Sequence, residues 1–394
     1  MVRKERSFLG KVIVFLLATM AVVGLIAMAL SVLSPYIRPA SFVWPAYFGL
    51  AFWAIFAFNS VVFVLLLLMW SRKAWIAVLA LVISIPGMMK SYSFGSKTEQ
   101  EKSLKVMSYN VHFFSNLDGE VTREEFVNQV INLVREESPD VFCCQEFRQY
   151  LPNNNYKKCI EEFARSIGYP YSSYNRNNSP EGNVIFSKYP LTDAPAESPF
   201  VKKGFGALVT VDAGELGVFH VANVHLTSYS INDNELMVLG KPAEQRDLLD
   251  TIGVSVMHKL KQGFKQRSEQ IDYVLEGMPP MDEPVVVCGD FNETPVSYVY
   301  HRMKKAGFYD SFIDAGRGVK PTYAGSLPWL RIDYVWVNDK VIPLSFERIR
   351  HKASDHYPVV MEFTVDRSAA KPEMKPVDNT VNSKENQLIN TELI

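Results

Sequence analysis

A chain of 394 residues has room for one large or two ordinary domains, with enough interior to bury a core. Its formal net charge of −1 excludes wholesale electrostatic attachment to nucleic acid, though not a local basic patch. The four cysteines have no disulfide-framework or metal-type spacing, which excludes a disulfide scaffold and a zinc module.

Apolar character is concentrated in the first ninety residues. Val12–Leu33 carries no charge over 22 residues, enough for a helix to cross a hydrocarbon core of about 30 Å. Ser41–Trp70 is a second uncharged run, and Ala74–Met89, 16 residues with Pro86 and Gly87, is a third. Three such runs without amphipathic periodicity predict membrane-crossing helices rather than buried helices of a soluble core. Residues 1–90 are therefore expected to form an anchor of about three transmembrane helices in the lipid bilayer. Arg3, Lys4, Arg6 and Lys11 precede the first run, only Arg38 separates the first from the second, and Arg72 and Lys73 follow the second. Under the positive-inside rule the amino terminus is cytoplasmic. Three crossings then put everything after Lys90 on the non-cytoplasmic side of a cytoplasmic (inner) membrane. A third run that only re-enters would leave the remainder facing the cytoplasm.

Beyond a polar linker at 91–103, strands and helices alternate. "LKVMSYNV" reads as a strand, Thr122–Glu136 as a helix, "DVFCCQE" as a buried strand and Tyr156–Ile167 as a second helix. "GNVIFSKYP" is a strand ending at Pro190. "ALVTVDAGELGVFHVANVHL" is a pair of strands joined at Gly214–Gly217. A helix from about Glu244 to Glu276, the strand "VVVCGD", a helix at Ser297–Ala306 and the strands "RIDYVWV" and "VVMEFTV" follow. The pattern predicts one α/β domain over 104–365. From Asp366 the composition turns to Pro, Asn, Lys and Glu, which predicts a disordered polar tail over 366–394.

The polar residues of this domain recur at strand ends. Asn110, Glu146, His225, Asp290 with Asn292, Asp333, and Asp355 with His356 each adjoin an apolar strand. Asp290 and Asn292, two residues apart on an extended chain, point to one side. Taken singly, each is an ordinary turn, cap or hydrogen-bonded structural residue. Together they are hard-metal carboxylates, histidines and carboxamides at the strand termini of one α/β domain, where such domains carry their chemistry.

The motifs "SYNV", "QE", "GNVIFSKYP", "NVHL", "GDFNETP" and "RIDYVWV…SDHYPV", in that order, make residues 103–365 resemble the endonuclease/exonuclease/phosphatase family. That group includes deoxyribonuclease I, apurinic endonucleases, neutral sphingomyelinases and inositol-polyphosphate 5-phosphatases. The resemblance implies a two-sheet α/β sandwich of the deoxyribonuclease I-like type, here preceded by transmembrane α-helices. It also implies hydrolysis of phosphoesters with Mg²⁺, or Mn²⁺ as the alternative.

By motif, the resemblance makes Glu146 and Asp355 metal carboxylates, with Asn110 beside metal and phosphate. Asp290 handles the attacking water, Asn292 holds a phosphate oxygen, His225 and His356 flank the phosphorus, and Asp333 pairs with His356. Arg148 is similar to a substrate-contacting arginine of the deoxyribonuclease-like members, although a lone surface arginine is ordinarily just solvated. Asn183 stands near the active-site face in relatives and is equally readable as a strand cap, while Arg176 is readable either as a phosphate contact or as a plain loop residue. Arg267 and Gln270 share a helical face and read as structural, while His112, His220, His258, His301 and Lys352 receive no role.

Phosphoester hydrolysis needs an in-line water and relief of charge on the phosphoryl oxygens. Mg²⁺ needs few protein carboxylates and takes substrate oxygens directly. A carboxylate beside a histidine favours its charged form, and carboxamides donate to phosphate without adding charge. The expected substrate is a phosphoester: nucleic acid, a phospholipid or sphingolipid head group, or a sugar or inositol phosphate. The sequence does not choose among them and indicates no protein partner. The competing expectation is a catalytically silent, membrane-tethered binding module of the same fold.

Overall fold

A computed structural model describes residues 7–115, 121–150, 155–175, 181–195, 198–229, 246–351 and 353–366. The expected tail beyond Asp366, and Arg3, Lys4, Arg6, Arg176 and Lys352, lie outside these residues.

The chain opens with helices α1 (Phe8–Leu33), α2 (Trp44–Leu50), α3 (Phe52–Leu68) and α4 (Ala74–Met89). Leu17 and Ala21 of α1 pack with Val62 and Leu66 of α3 and Ala77 of α4. Gly24 lets α3 approach closely, because a Cβ there would lie 2.4 Å from Asn59 Oδ1. The Asn59 amide, buried in this contact, donates to Gly24 O at 3.1 Å. Outward faces remain apolar and uncovered, with Phe15 63%, Leu68 70% and Val82 53% exposed.

Phe8–Leu33 is long and apolar enough to cross a membrane. The second run does not form one straight helix: α2 and α3 meet at a 70° bend, and only together do they reach spanning length. The third run forms α4, which is 16 residues long and contains Pro86.

The linker expected at 91–103 lies against the following domain. Ser93 bridges to Gly318, its hydroxyl donates to Ile313 O and Gly316 O at 2.8 and 2.7 Å, and Thr98 N donates to Leu344 O.

Two six-stranded sheets follow. Their strands are β1 (Leu104–Asn110), β2 (Val141–Arg148), β3 (Tyr171–Asn175), β4 (Glu181–Ser187), β5 (Leu191–Asp193), β6 (Gly206–Asp212), β7 (Val218–His225), β8 (Val285–Asp290), β9 (Tyr309–Asp310), β10 (Asp333–Val337), β11 (Val341–Arg348) and β12 (Val359–Val365). The orders are β11-β12-β1-β2-β4-β3 and β5-β6-β7-β8-β10-β9. Pairs β1–β2 and β7–β8 are parallel, and the other pairs are antiparallel.

Val106, Cys143 and Ile185 of the first sheet interdigitate with Val209, Val286 and Val335 of the second. Helices α5 (Arg123–Glu137) and α6 (Tyr156–Ile167) cover the outer face of the first sheet. The second is covered by α8 (Arg246–Glu276) and α9 (Tyr298–Lys305), while a short α7 (Pro199–Lys202) leads into β6. The central strands are therefore buried on both faces, which explains their continuous apolar runs. This is the two-sheet α/β sandwich expected from the motifs.

Local signals match the sequence closely. Thr122 and Glu125 form a reciprocal capping box that starts α5, and Gly168 ends α6 in the left-handed conformation. Adjacent Cys143 and Cys144 face opposite sides of β2, one into each core, and all four cysteines are free and buried.

Candidate active site

Strand register assembles the site. In the second sheet His225 pairs with Asp290 and Asp290 with Asp333, so three polar side chains stand abreast at one end. In the first sheet Asn110 pairs with Gln145, next to Glu146. A buried amide network ties the sheets together beneath them. Gln145 Nε2 donates to Asn223 Oδ1 at 2.7 Å and to Ser108 Oγ at 3.0 Å. Asn223 Nδ2 donates to Cys144 O and Val184 O, both at 3.0 Å.

Backbone irregularities aim the side chains. Pairing of β2 with β4 shifts between Cys144 and Phe147, and Glu146 has φ +53° within that bulge. Such a conformation costs about 1–3 kcal/mol and turns the carboxylate off the regular strand direction. Asn292 has φ +51°; its N–H caps Asp290 Oδ1 at 2.8 Å and its Nδ2 donates to Leu226 O at 3.0 Å. Gly289 has φ +139°, and a Cβ there would lie 1.9 Å from Val224 O, so no side chain fits before Asp290.

The two sheets meet at Asn110. Its Nδ2 stands 3.1 Å from Glu146 Oε1 and 3.0 Å from Asp290 Oδ2, and its Oδ1 accepts from His112 N at 3.0 Å. As placed, this amide orients both carboxylates. His225 Nε2 is 3.3 Å from Glu146 Oε1 and 3.9 Å from Asp290 Oδ2. His356 Nε2 is 3.5 Å from Asp290 Oδ2, and its Nδ1 is 2.9 Å from Asp333 Oδ2. Ser354 Oγ donates to Asn110 O at 2.8 Å and fixes the Ser354–His356 turn against β1.

Burial sets the electrostatics. It pushes Glu146 up to about 7 and outweighs the Asn110 hydrogen bond that favours its charged form. It also raises Asp290, against the pull of His356. Burial disfavours the His356 imidazolium, but Asp333, Asp290 and Asp355 together hold it well above the ordinary histidine value.

The same residues test the fit of a divalent cation. Glu146 Oε2 is buried and, among the described residues, has no hydrogen-bond partner. A carboxylate oxygen stripped of water in this way fits a cation. Asp290, Asp333 and His356 also bring ligand-capable atoms within 4.8 Å of one another. The histidine already bridges those two carboxylates, so Glu146 has the greater need of a counter-charge.

A cavity of about 370 Å³ opens on this cluster and is lined by Glu146, Asp290, Asn292, Asp355 and His356 among others. Arg148 is not in that wall; it stands over the Phe113 ring, 5.8 Å from its centroid. Asn183 is buried between strands. Arg267 is fully buried, paired with Glu293 at 2.9 Å and stacked on Tyr229 at 3.9 Å, where it braces the turn after Asn292.

Sequence reasoning passed over His112 and Tyr323. His112 Nδ1 lies 4.0 Å from Asp355 Oδ1, and the Tyr323 ring is 5.6 Å from that of His356; both line the cavity. The i, i+2 spacing of Asn110 and His112 was an available signal. Tyr323 arrives through an isolated bridge to His356, which no local pattern announces.

The model of the endonuclease/exonuclease/phosphatase family matches residues 107–356, and a model described only as a domain of unknown function matches residues 11–91. No curated protein matches. Similar solved structures include an endonuclease/exonuclease/phosphatase from Beutenbergia cavernae, 20% identical with a TM-score of 0.47, over 67% of this chain and 72% of that one. A family protein from Leptotrichia buccalis is 14% identical with a TM-score of 0.46, over 66% and 99%. A 3′ phosphatase from Neisseria is 17% identical with a TM-score of 0.46, over 66% and 99%. With 107–356 matched, the chain belongs to the endonuclease/exonuclease/phosphatase family, whose members are phosphoesterases.

Proposed function

We propose that this chain is a membrane-anchored, divalent-metal-dependent hydrolase of phosphoester bonds. The observation that carries the reading is the convergence of Asn110, Glu146, His225, Asp290, Asp333 and His356 at one end of the sandwich.

Glu146, with Asp355, would hold Mg²⁺ or Mn²⁺, oriented by Asn110. When bound, the ion supplies Lewis-acid stabilisation of phosphoryl charge. Asp290, raised by burial, accepts a proton from the attacking water more readily than a solvated aspartate would. His356, kept positive by Asp333, sets a cation against the phosphoryl oxygens. His225 stands on the opposite flank of Asp290. Asn292 has one amide hydrogen on Leu226 O, and its second, without a partner among the described residues, would donate to a phosphate oxygen.

The uncovered apolar faces of α1, α3 and α4 support placement of these helices in a bilayer. Three crossings, with the amino terminus cytoplasmic, would put the catalytic domain on the non-cytoplasmic side. Residues on both flanks of the helices touch that domain: Arg38 pairs with Asp272 at 2.9 Å, and Arg331 donates to Lys90 O at 2.8 Å. Labelling of a cysteine engineered after Asp366 in intact cells tests sidedness.

Turnover of p-nitrophenyl phosphate and bis-p-nitrophenyl phosphate by the full chain, with and without Mg²⁺ or Mn²⁺, tests the activity. Asp290→Ala and His356→Ala should each abolish it. No turnover of either ester under any metal would leave the silent binding module in place of the enzyme.

A further inference from the structure

The catalytic cavity is built partly from the amino-terminal helices, which lie outside the matched family region. Leu50, the last residue of α2, lines it together with Val256 and Leu260 of α8 and with Leu327 and Leu330. Leu50 and Leu330 also line a narrow cleft of about 20 Å³ with Phe52, Trp53, Val296 and Trp329, with Lys320 and Arg331 also in its wall. Apolar surface therefore runs from beside the carboxylates to the first residues of α3.

Helix α2 is fixed in that position. Tyr47 OH donates to Met257 O at 2.8 Å, and its ring meets Phe264 edge-on at 5.3 Å. Gly49 sits so close to the domain that a Cβ would lie 2.5 Å from Val296 O.

Such a cavity does not suit a polyanion. Nucleic acids are held mainly by Lys and Arg on successive phosphates, and no Lys or Arg stands in this wall among the described residues. A volume of about 370 Å³ is at the small end of ligand pockets, enough for a phosphate-bearing head group and the first methylenes of a chain.

We propose that the phosphoester cleaved here belongs to a bilayer amphiphile, whose hydrocarbon chain leaves the cavity past Leu50, Leu260 and Leu330 towards α3. This rests on the phosphoester-hydrolase reading above. The chain would stay in the apolar layer while the head group alone reaches Glu146 and Asp290.

The test uses the full chain in detergent with Mg²⁺ and non-hydrolysable ethyl-, butyl- and octylphosphonate, with binding measured by titration calorimetry. Burial of a methylene raises affinity by up to about fourfold, so octylphosphonate should bind at least about tenfold more tightly than ethylphosphonate. Leu50→Asn and Leu260→Asn, each checked for a retained melting transition, should shrink that octyl-to-ethyl ratio at least about fivefold. Equal affinities, no binding, or a ratio that survives both substitutions because the chain merely partitions into detergent would each overturn the proposal. Turnover of the p-nitrophenyl esters in the same preparation judges the hydrolase reading separately, since phosphonate binding requires no catalysis.

Discussion

Asp333 Oδ2 lies 2.9 Å from His356 Nδ1, and both side chains are almost fully buried. This bond turns the other ring nitrogen towards Asp290 and fixes which nitrogen faces the cavity. Thr322 Oγ1 in turn accepts from the N–H groups of Ile332 and Asp333, both at 3.0 Å, so the start of β10 is itself clamped. Asp333→Asn keeps the shape while removing the charge. It should lower kcat by about 10²-fold or more with little change in the melting temperature. Steady-state kinetics on bis-p-nitrophenyl phosphate beside a thermal melt decides this, and an unchanged kcat would remove His356 from the chemistry.

Cation binding should register as stability. A ligand present at about 100 times its Kd stabilises the folded state by about 2.7 kcal/mol. Mg²⁺ or Mn²⁺ should therefore raise the melting temperature of the wild-type chain in detergent, and a chelator in excess of the ion should reverse the rise. Glu146→Gln removes the negative charge on the orphaned Oε2 and should abolish most of the shift. A shift of wild-type size in that variant would place the ion elsewhere.

The sequence carried more of the site than of its surroundings. Strand-terminal polar residues were visible because buried central strands read as apolar runs, and the abrupt polar ends at Asp290 and His225 stand out against them. Register then does what local sequence cannot state: it sets His225, Asp290 and Asp333 side by side. The bulge that aims Glu146 follows from pairing with β4, a long-range event. The bend between α2 and α3 was hidden because hydropathy reports apolar content, not direction. The contribution of Leu50 to the cavity depends on docking of α2 against α8, which no motif encodes.

Gln145 and Asn223 form the polar rivet between the sheets. Both side chains have no exposure to solvent. Asn223→Leu removes the side-chain donor to Cys144 O and Val184 O, and costs the Gln145 amide its shortest acceptor while leaving it Ser108 Oγ and Cys143 O. Each buried polar group left short of a partner costs about 1–3 kcal/mol, so a loss of several kcal/mol in urea or thermal unfolding is expected. The double substitution Gln145→Leu with Asn223→Leu should cost less than the sum of the single ones, because both partners of the Gln145–Asn223 bond are then removed. Simple additivity in that cycle would show that the two amides act independently.

Gly289 is the position at which added volume has nowhere to go. Gly289→Ala would force β7 from β8, because Val224 O occupies the space a methyl needs, and its φ of +139° is hostile to any L side chain. The expected loss is at least about 3 kcal/mol. The pairing of His225 with Asp290 would be disturbed at the same time. Equilibrium unfolding of the variant checks the energy, and wild-type stability would contradict the close approach.

His351 supplies a dependence on pH away from the cation site. Burial lowers its pKa below the ordinary 6.5, against a smaller opposing pull from Glu136. Its Nδ1 lies 3.2 Å from the Tyr109 hydroxyl, whose own ionisation burial pushes far up, so the neutral ring accepts the phenol's hydrogen. The unfolded chain takes up a proton near pH 6.5 while the folded one resists, so the unfolded state binds more protons just below that value. The contribution of His351 is therefore complete above about pH 6.5 and declines as pH falls towards the lowered folded-state value. Because other groups titrate in the same range, the informative quantity is the melting-temperature difference between wild type and His351→Gln. That difference should be largest at pH 7.5 and shrink at pH 5.5, whereas a difference that grows on acidification would mean that the folded protein favours the charged ring.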